Sequence, residues 1–199
     1  MVAIESMAQV VDELNVRRLT VDEYMQMAQA GIIDEDERVE LLDGVIVRMS
    51  PINPPHAYVV STIAHVFDRL VPEGAAVRTQ CPVQLSRYSL PEPDIAIVQG
   101  PLRAYARRHP EPGEIFLIIE VADSSLRKDR MLKLPLYATA GIPETWIVDL
   151  VHKQFLVHRK PVAGSYTDIT VHQAGEVIAP LAFPEARIEI ASLFAELEP

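Results

Sequence analysis

The sequence predicts an α/β domain in which helices pack on a mixed β-sheet. Residues 115–119 form a short apolar run rich in β-branched and aromatic side chains, which is typical of a strand buried on both faces. A helical segment over residues 128–140 and a second strand over residues 145–150 follow it. Helical and strand-like segments on either side of this strand-helix-strand unit indicate a sheet that helices cover.

The segments that precede this unit are predicted from their caps and turns. Thr20 and Glu23 form a capping box, which predicts a helix over residues 20–30. An Asp-Gly pair at residues 43–44 lies between two apolar runs and predicts a β-hairpin with a type I′ turn. Two prolines then open an amphipathic helix, which is expected to span residues 54–70.

Residues 1–18 are weakly patterned and are predicted to form a tail or a short helix, so that one domain is expected over residues 19–199. A chain of this length can bury one sizeable core. Further strands are predicted from short β-rich runs, and a short helix is predicted from Ala191. These runs lie at residues 76–80, 83–85, 95–98, 155–159, 166–172 and 187–190.

Composition excludes some classes of protein. The formal net charge is −10, which argues against a protein that binds nucleic acid through a large basic surface but not against an enzyme with an acidic metal site. Cys81 is the single cysteine, so neither an intrachain disulfide nor a multi-cysteine zinc site is possible. The N-terminus does not read as a signal peptide and no apolar run reaches membrane-spanning length, so a cytoplasmic location is expected.

Three acidic residues have unusual positions. Glu40 shares a strand face with a leucine, Asp94 follows a proline-rich turn at the entrance of a strand, and Glu120 ends the buried run. A buried charge is costly unless a cation, a metal or water compensates it. Two carboxylates on adjacent strands, together with water and a main-chain carbonyl, suit Mg²⁺ or Mn²⁺. A nearby lysine then stabilises an anionic transition state or orients the attacking water.

The order of these motifs resembles a known group of enzymes. Pro93-Asp94 followed by Glu120 resembles the PD-(D/E)XK nuclease superfamily, and the wider pattern resembles one of its branches, the Uma-two family of endonucleases. The matching stretches, within about residues 19–177, are VELLDGVIVRMSP, PEPDIAIV, IIEVADSSLRKDRMLKLPLYATAGIPETWIVD and the strand after it. Their order, together with the GIPETWIVD run, is more specific than any single motif.

The resemblance implies a restriction-endonuclease-like fold and divalent-metal-dependent hydrolysis of nucleic-acid phosphodiester bonds. Asp94 and Glu120 would hold Mg²⁺ or Mn²⁺ with the carbonyl of Val121, and Glu40 would supply a further acid or hold a metal-bound water. Lys133 would stabilise charge that develops on the phosphate. The expected partner is nucleic acid, with DNA favoured over RNA and no membrane involved. A homodimer is a weaker expectation, because many nucleases of this fold engage two strands as pairs.

The chain departs from the superfamily pattern at one position. Two residues after Glu120, where the superfamily has lysine, stands Ala122. The resemblance implies that Lys133 on the following helix takes over this role, and Lys128 and Arg127 are less favoured substitutes.

Helix geometry supports the choice of Lys133. Asp129, Lys133 and Tyr137 are spaced to share one face of a helix, and that face is expected to look toward Glu120. Pro135 lies within the predicted helix, where it removes a hydrogen bond and predicts a kink.

Structural interpretations compete with the catalytic ones. Asp94 after a proline is also an ordinary turn residue. Glu40 could pair with a neighbouring arginine at the surface, where such a pair contributes little. Lys133 could pair with Asp129 on a solvated helix face. His56, at the start of a helix, could contact phosphate, but an exposed histidine is the favoured interpretation.

Two alternative functions remain open from the sequence. A non-catalytic protein could use the same fold for binding or assembly, which the acidic charge and the displaced lysine favour. A glycosidase with a pair of carboxylates is a weaker alternative, and Lys133 would have no role in it. A requirement for divalent metal distinguishes the nuclease from the glycosidase.

Overall fold

The structure is a computed structural model that describes residues 13, 15–123 and 129–197. Its α-helices are α1 (Val21–Gln29), α2 (Pro54–Leu70), α3 (Leu134–Thr139) and α4 (Ile190–Phe194). A π-helical turn (Asp129–Lys133) precedes α3, and single 3₁₀ turns lie at Leu102–Tyr105, Pro112–Glu114 and Ala195–Leu197. The strands are β1 (Val39–Leu42), β2 (Val45–Arg48), β3 (Ala75–Thr79), β4 (Ile95–Gln99), β5 (Ile115–Ala122), β6 (Glu144–Asp149), β7 (Gln154–Val162), β8 (Ser165–Gln173), β9 (Val177–Ile178) and β10 (Ile188–Glu189).

A six-stranded mixed sheet lies at the centre, with its strands in the order β3-β4-β5-β6-β7-β8. The β5–β6 pair is parallel and the other neighbouring pairs are antiparallel. A parallel pair requires a crossover connection, and here the crossover contains the π-helical turn and α3. The strand-helix-strand unit predicted from the sequence is therefore confirmed, and so is the mixed sheet with helices packed on it.

Different helices cover the two faces of the sheet. On one face, α2 packs Ile63 and Phe67 against Trp146 of β6. On the other face, α3 packs Tyr137 against Ile118 of β5. Because side chains alternate along a strand, successive residues of β5 and β6 enter opposite cores, and every residue of β6 is buried.

Local signals predicted the first elements correctly. Thr20 caps α1, and its capping box with Glu23 is formed in both directions. The hairpin turns at Asp43 and Gly44, with φ of 49° and 80°, which is the pair of positive angles that a type I′ turn requires. The helix predicted from residues 54–70 has the same bounds in α2.

The strand predicted over residues 83–85 is wrong. The amide N–H groups of Val83, Gln84 and Leu85 donate to Pro91, Pro110 and Ser89, respectively. Because three consecutive donors find acceptors in three different places, no ladder with one neighbouring strand forms. The strand predicted over residues 187–190 is shorter than expected, since Ile190 already begins α4.

Strand β5 is longer than predicted and continues past Glu120. Its last residues stay in register with β6, where Val121 pairs with Val148 and Ala122 with Asp149. Glu120 therefore lies within the strand and not at its end. The turn predicted over residues 122–125 does not begin at Ala122, which still belongs to β5. Residues 124–125 lie outside the described part of the chain.

The helix predicted over residues 128–140 is irregular. Residue 128 lies outside the described residues, and the segment that follows changes from π-helix to α-helix at Leu134. Pro135 is the next residue, and it has no N–H with which to continue a regular helical pattern. Gly141, with φ of 77°, follows the end of α3, as predicted.

None of the helices within residues 15–123 and 129–197 is long and apolar enough to span a bilayer.

The β1–β2 hairpin depends on the glycine of its turn. A Cβ atom at Gly44 would lie 2.4 Å from Cβ and 2.8 Å from Cα of Arg18, whereas one at Gly31 would meet nothing within 4 Å. Both glycines have positive φ. We expect Gly31→Ala to cost about 1–2 kcal/mol of unfolding free energy from backbone strain alone. Gly44→Ala should cost roughly 1–3 kcal/mol more, because backbone atoms must move apart.

Urea unfolding of the two variants and the wild-type protein measures this difference. Gly31→Ala is the matched control, since it shares the positive φ but not the contact with Arg18. Equal losses in both variants would contradict the close approach at the hairpin.

Candidate active site

A cavity of about 60 Å³ opens where β1, β4, β5 and the beginning of α2 meet. Among the described residues, six carboxylates line it, whereas the side chains of fixed positive charge that line it are Arg38 and Lys133. The acidic residues are Glu40, Glu92, Asp94, Glu120, Asp123 and Asp129. His56 and the backbone of Val121 also reach the cavity. All of the site residues predicted from the sequence therefore lie at one place.

Asp94 and Glu120 come together through strand register. Ile95 of β4 pairs with Ile119 of β5 in antiparallel orientation, so Asp94 lies opposite Glu120 on the same face of the sheet. The N–H of Val121 donates to Oδ2 of Asp94 at 2.8 Å, which fixes this carboxylate against β5. The interpretation of Asp94 as a turn residue alone does not explain this contact with a neighbouring strand.

Lys133 is buried and is only 4% exposed. Its Nζ lies 3.1 Å from Oε1 of Glu120 and 3.2 Å from Oε2 of Glu40. It also donates to the carbonyl of Glu92 at 3.3 Å. The solvated helix face considered for Lys133 is therefore wrong, and so is a surface pair for Glu40, whose exposed fraction is 1%.

The helical face predicted from residue spacing does point toward Glu120. The hydroxyl of Tyr137 donates to Oε1 of Glu120 at 2.5 Å, and Asp129 lines the same cavity. Lys133 and Tyr137 thus approach one carboxylate from two successive helical turns. Of the other basic residues considered for this role, Arg127 and Lys128 lie outside the described residues.

His56 is a cavity residue whose environment was predicted wrongly from the sequence. It was expected to be exposed, but only 15% of its side chain is, and its Nε2 lies 3.2 Å from Oδ2 of Asp94. Asn53 caps α2 by accepting from the backbone N–H of His56 at 3.0 Å. The amide of Asn53 also donates to Asp123 at 2.6 Å, which ties the beginning of α2 to the segment after β5.

Comparison with known proteins agrees with this geometry. Residues 21–191 match the model of the Uma2 family, described as "Putative restriction endonuclease". The chain belongs to the Uma2 family. No functionally curated protein matches it significantly.

Solved structures place this Uma2 protein in a known fold. A crystal structure described as "a putative nuclease belonging to DUF820" from Anabaena variabilis superposes with a TM-score of 0.69. The match covers 90% of this chain and 99% of the other, at 17% sequence identity. This likeness establishes the fold, and the restriction-endonuclease-like class predicted from the sequence is confirmed.

Burial controls the charge of the acidic groups in this Uma2 protein. Loss of solvent raises the pKa of Glu120 to about 8, although the nearby charge of Lys133 opposes the shift. Burial also raises the pKa of Glu92. For Lys133, burial acts in the lowering direction, but the charges of Glu120 and Glu40 outweigh it and leave its pKa above the usual value. Lys133 is therefore an ammonium, while Glu120 holds a proton readily.

Burial and nearby negative charge also act in opposite directions on the pKa of His56. Burial lowers the pKa of His56, but its hydrogen bond with Asp94 and the charge of that carboxylate outweigh burial and raise the pKa overall. The other ring nitrogen, Nδ1, is buried and has no hydrogen-bond partner among the described residues.

A divalent cation fits this set of donors. Both hydrogen bonds that the described residues make to the Asp94 carboxylate end on Oδ2, so Oδ1 faces no competing donor there. Within the described residues, no three His, Cys, Asp or Glu side chains are arranged to hold an ion by themselves. An ion in this cavity therefore needs main-chain or water oxygens as well, which is the usual situation of Mg²⁺.

The raised pKa of Glu120 predicts a dependence of stability on pH. When unfolded, this carboxyl loses its proton near pH 4.5, whereas the folded protein retains it to about pH 8. Between these values the folded state binds the extra proton, so the free energy of unfolding falls as pH rises. The metal-free wild-type protein should lose roughly 1 kcal/mol per pH unit from this group across the window.

Glu120→Gln removes the titrating group and should flatten this dependence. The measurement is urea unfolding at about pH 5, 6, 7 and 8 in the presence of a chelator, with Glu73→Gln as an exposed control. Identical slopes for the wild-type protein and Glu120→Gln would mean that Glu120 does not hold its proton in the folded state.

Proposed function

We propose that this protein is a divalent-metal-dependent endonuclease that hydrolyses phosphodiester bonds of nucleic acid, with DNA as the favoured substrate. The observation that carries the proposal is the 3.1 Å contact between Nζ of Lys133 and Glu120. Although Ala122 stands where the superfamily has lysine, a lysine from the following helical segment reaches the same carboxylate. The acidic pair and the basic group that such hydrolysis requires thus share one cavity.

Asp94 and Glu120 are the proposed carboxylate ligands for Mg²⁺ or Mn²⁺, and the carbonyl of Val121 is the proposed main-chain ligand. When bound, the cation would neutralise charge on the scissile phosphate and favour ionisation of the attacking water. The hydrogen bond from Val121 N–H holds Asp94 in place, and Tyr137 holds Glu120. Both carboxylates are therefore oriented before any ligand arrives, which reduces the cost of organising the site.

Lys133 is the proposed stabiliser of the anionic transition state. Its ammonium is charged and lies beside Glu120, where a phosphate oxygen could accept a hydrogen bond from it. Glu40 contacts the same ammonium from the hairpin, and accepts from the backbone N–H of Glu92. We assign Glu40 the task of orienting Lys133 and keeping it charged, in place of the metal-associated roles expected from the sequence.

Among the described residues, the substrate would meet little other positive charge at this site. Arg38 lines the cavity and is exposed, so its guanidinium is available to a phosphate beside the scissile one. The net charge of −10 opposes long-range attraction between the protein and nucleic acid. We therefore expect binding that depends on the site and its cation. The homodimer and the cytoplasmic location remain predictions.

The second candidate is a non-catalytic protein that uses the same fold for binding or assembly. It is favoured by the fact that Lys133 already has two carboxylate partners and one carbonyl partner without a substrate. The geometry gives a glycosidase less support than the sequence did. Lys133 would have no role in that reaction, yet its ammonium lies against Glu120 and contacts Glu40 as well.

Replacing Lys133 tests catalysis. Lys133→Met keeps much of the apolar stem but removes the charge, and should lower the cleavage rate by about a hundred- to a thousandfold. Glu120→Gln should also lose cleavage, whereas Lys160→Met should cleave like the wild-type protein, since Lys160 is an exposed lysine paired with Asp168. The assay uses single- and double-stranded DNA and RNA with Mn²⁺, at a temperature where circular dichroism shows each variant to be folded.

Equal cleavage by folded Lys133→Met and the wild-type protein would refute the role of Lys133. If the wild-type protein cleaves none of these substrates, the non-catalytic candidate is favoured instead.

Metal binding is tested through stability. A cation that binds only the folded state raises the melting temperature by mass action. We expect millimolar Mn²⁺ to stabilise the wild-type protein and the surface control Asp168→Asn, and to leave Asp94→Asn unchanged. A wild-type melting temperature that does not respond to Mn²⁺ or Mg²⁺ would contradict the proposed metal centre.

A further inference from the structure

Strand β8 forms one edge of the central sheet, and its outer side is open. Among the described residues, β7 is the strand that pairs with it, and this pairing runs from Ser165 to Gln173. Every second N–H and C=O group of an edge strand points away from the sheet. Ile169 and Val171 are 55% and 51% exposed on this strand. Outward backbone groups beside exposed apolar side chains are the features to which a further strand binds.

The sequence of β8 lacks the residues that usually keep an edge strand from pairing with another chain. Proteins protect such edges with prolines, lysines and short strands. The nine residues of β8 read SYTDITVHQ, which contains neither proline nor lysine. The opposite edge of the sheet, β3, is five residues long and carries Arg78. The β8 edge is therefore the one at which the sheet can be extended.

Residues 167–173 are chemically similar when they are read outward in either direction from Thr170. A symmetric antiparallel pair of two copies places one residue opposite its own counterpart, and residues equally far from it then lie opposite each other. With Thr170 at the centre, the facing pairs are Thr170–Thr170, Ile169–Val171, Asp168–His172 and Thr167–Gln173. Apolar side chains thus face apolar ones, and an acid faces a histidine.

Neighbouring registers match less well. Centring the pair on Ile169 would place Asp168 opposite Thr170, and centring it on Val171 would place His172 opposite Thr170. Either shift separates the acid from the histidine and places one of the two apolar residues opposite a polar one. Since cross-strand pairs of opposite charge or of branched side chains are favourable, the register centred on Thr170 is preferred.

The charged groups of β8 are also arranged to meet a second copy. Within one copy, Nζ of Lys160 lies 2.9 Å from Oδ2 of Asp168. Nδ1 of His172 lies 2.7 Å from Oε2 of Glu176. Across the symmetric pair, the lysine–aspartate pair of one copy would adjoin the histidine–glutamate pair of the other. Basic and acidic groups then alternate along one row, which is the complementarity that specifies a partner.

We propose that β8 is a dimerisation surface, at which the β8 strands of two copies pair in antiparallel orientation with Thr170 at the centre. The two central sheets then form one continuous sheet, and Ile169 and Val171 of both copies lie side by side on one of its faces. The inference is independent of the proposed function, since the described residues that line the acidic cavity include none from β8. An interface of one strand pair is small, so the dimer should be weak and dependent on protein concentration.

Cysteine cross-linking of the full chain tests the register. Cys81, the single cysteine, is first replaced by serine. In this background, Thr170→Cys should give a disulfide-linked dimer with oxidised glutathione. The reason is that directly opposite residues have Cα atoms about 4.5–5.5 Å apart, within the reach of a disulfide.

Two further cysteine positions and a control define the pairing. Ile169→Cys alone should cross-link poorly, because its counterpart lies diagonally, roughly 7–8 Å away. A mixture of Ile169→Cys and Val171→Cys proteins should cross-link well, since these positions face each other. Ser61→Cys, at an exposed position on α2, measures cross-linking by random collision.

Sedimentation velocity tests the association without any cross-link. The fraction of wild-type dimer should rise with concentration in the micromolar range and above. Combining Ile169→Lys with Val171→Lys places like charges opposite each other and should weaken the dimer by at least about tenfold. Leu102→Lys is the matched control, because Leu102 is 53% exposed in the 3₁₀ turn after β4. It should leave the dimer unchanged.

Three results would overturn the inference. They are a wild-type protein that stays monomeric up to several hundred micromolar, a dimer that the double lysine variant does not weaken, and a cross-linking yield for Thr170→Cys no higher than for Ser61→Cys. Should the double lysine variant not fold, the cross-linking still decides, because Thr170→Cys changes one small exposed side chain.

Discussion

The contact of Lys133 with Glu120 and Glu40 is the interaction on which the rest of the site depends. All three side chains are almost completely buried, and removing charges from water costs several kcal/mol for each ion unless partners compensate. One ammonium contacts both of these buried acids only if the hairpin, the central sheet and the crossover segment meet at one point. The cluster contributes little net stability but imposes a strict geometry, because loss of any member leaves a buried polar group without one of its partners.

The topology meets this requirement through the one parallel pair of the central sheet. A chain that runs from β5 to β6 in parallel must cross over a face of the sheet, and the crossover here passes over the face on which Glu120 points. Tyr137 packs into the core beneath α3 and also donates to Glu120, so apolar packing and orientation of the carboxylate come from one side chain. The opposite face receives α2, whose first turn brings His56 to Asp94 around the end of the sheet.

Features with a local cause could be predicted from the sequence, and features that depend on distant partners could not. The capping box of Thr20 and the turn at Gly44 are determined within a few residues, so their elements were found. The proposed site residues were found because strand position and family resemblance agreed. The sequence left two environments open for Lys133, since a lysine paired in the sequence with Asp129 looks the same whether the helix face meets water or Glu120. The burial of His56 was missed for a similar reason, because Asp94, whose carboxylate accepts a hydrogen bond from the ring, is 38 residues away in the sequence.

The displaced lysine has a physical explanation in the packing of β5. Position 122 lies on the same face of the strand as Glu120, since the two are two positions apart, and Ala122 is fully buried against the core that includes Tyr137 and Leu134. A lysine there would need to pass its stem through the space that the helical crossover occupies. A small residue at position 122 lets the crossover approach the sheet closely, and that approach is what allows Lys133 to reach Glu120 from above. One packing arrangement thus explains both Ala122 in the strand and Lys133 on the helical crossover. The crossover supplies the positive charge that the strand cannot accommodate.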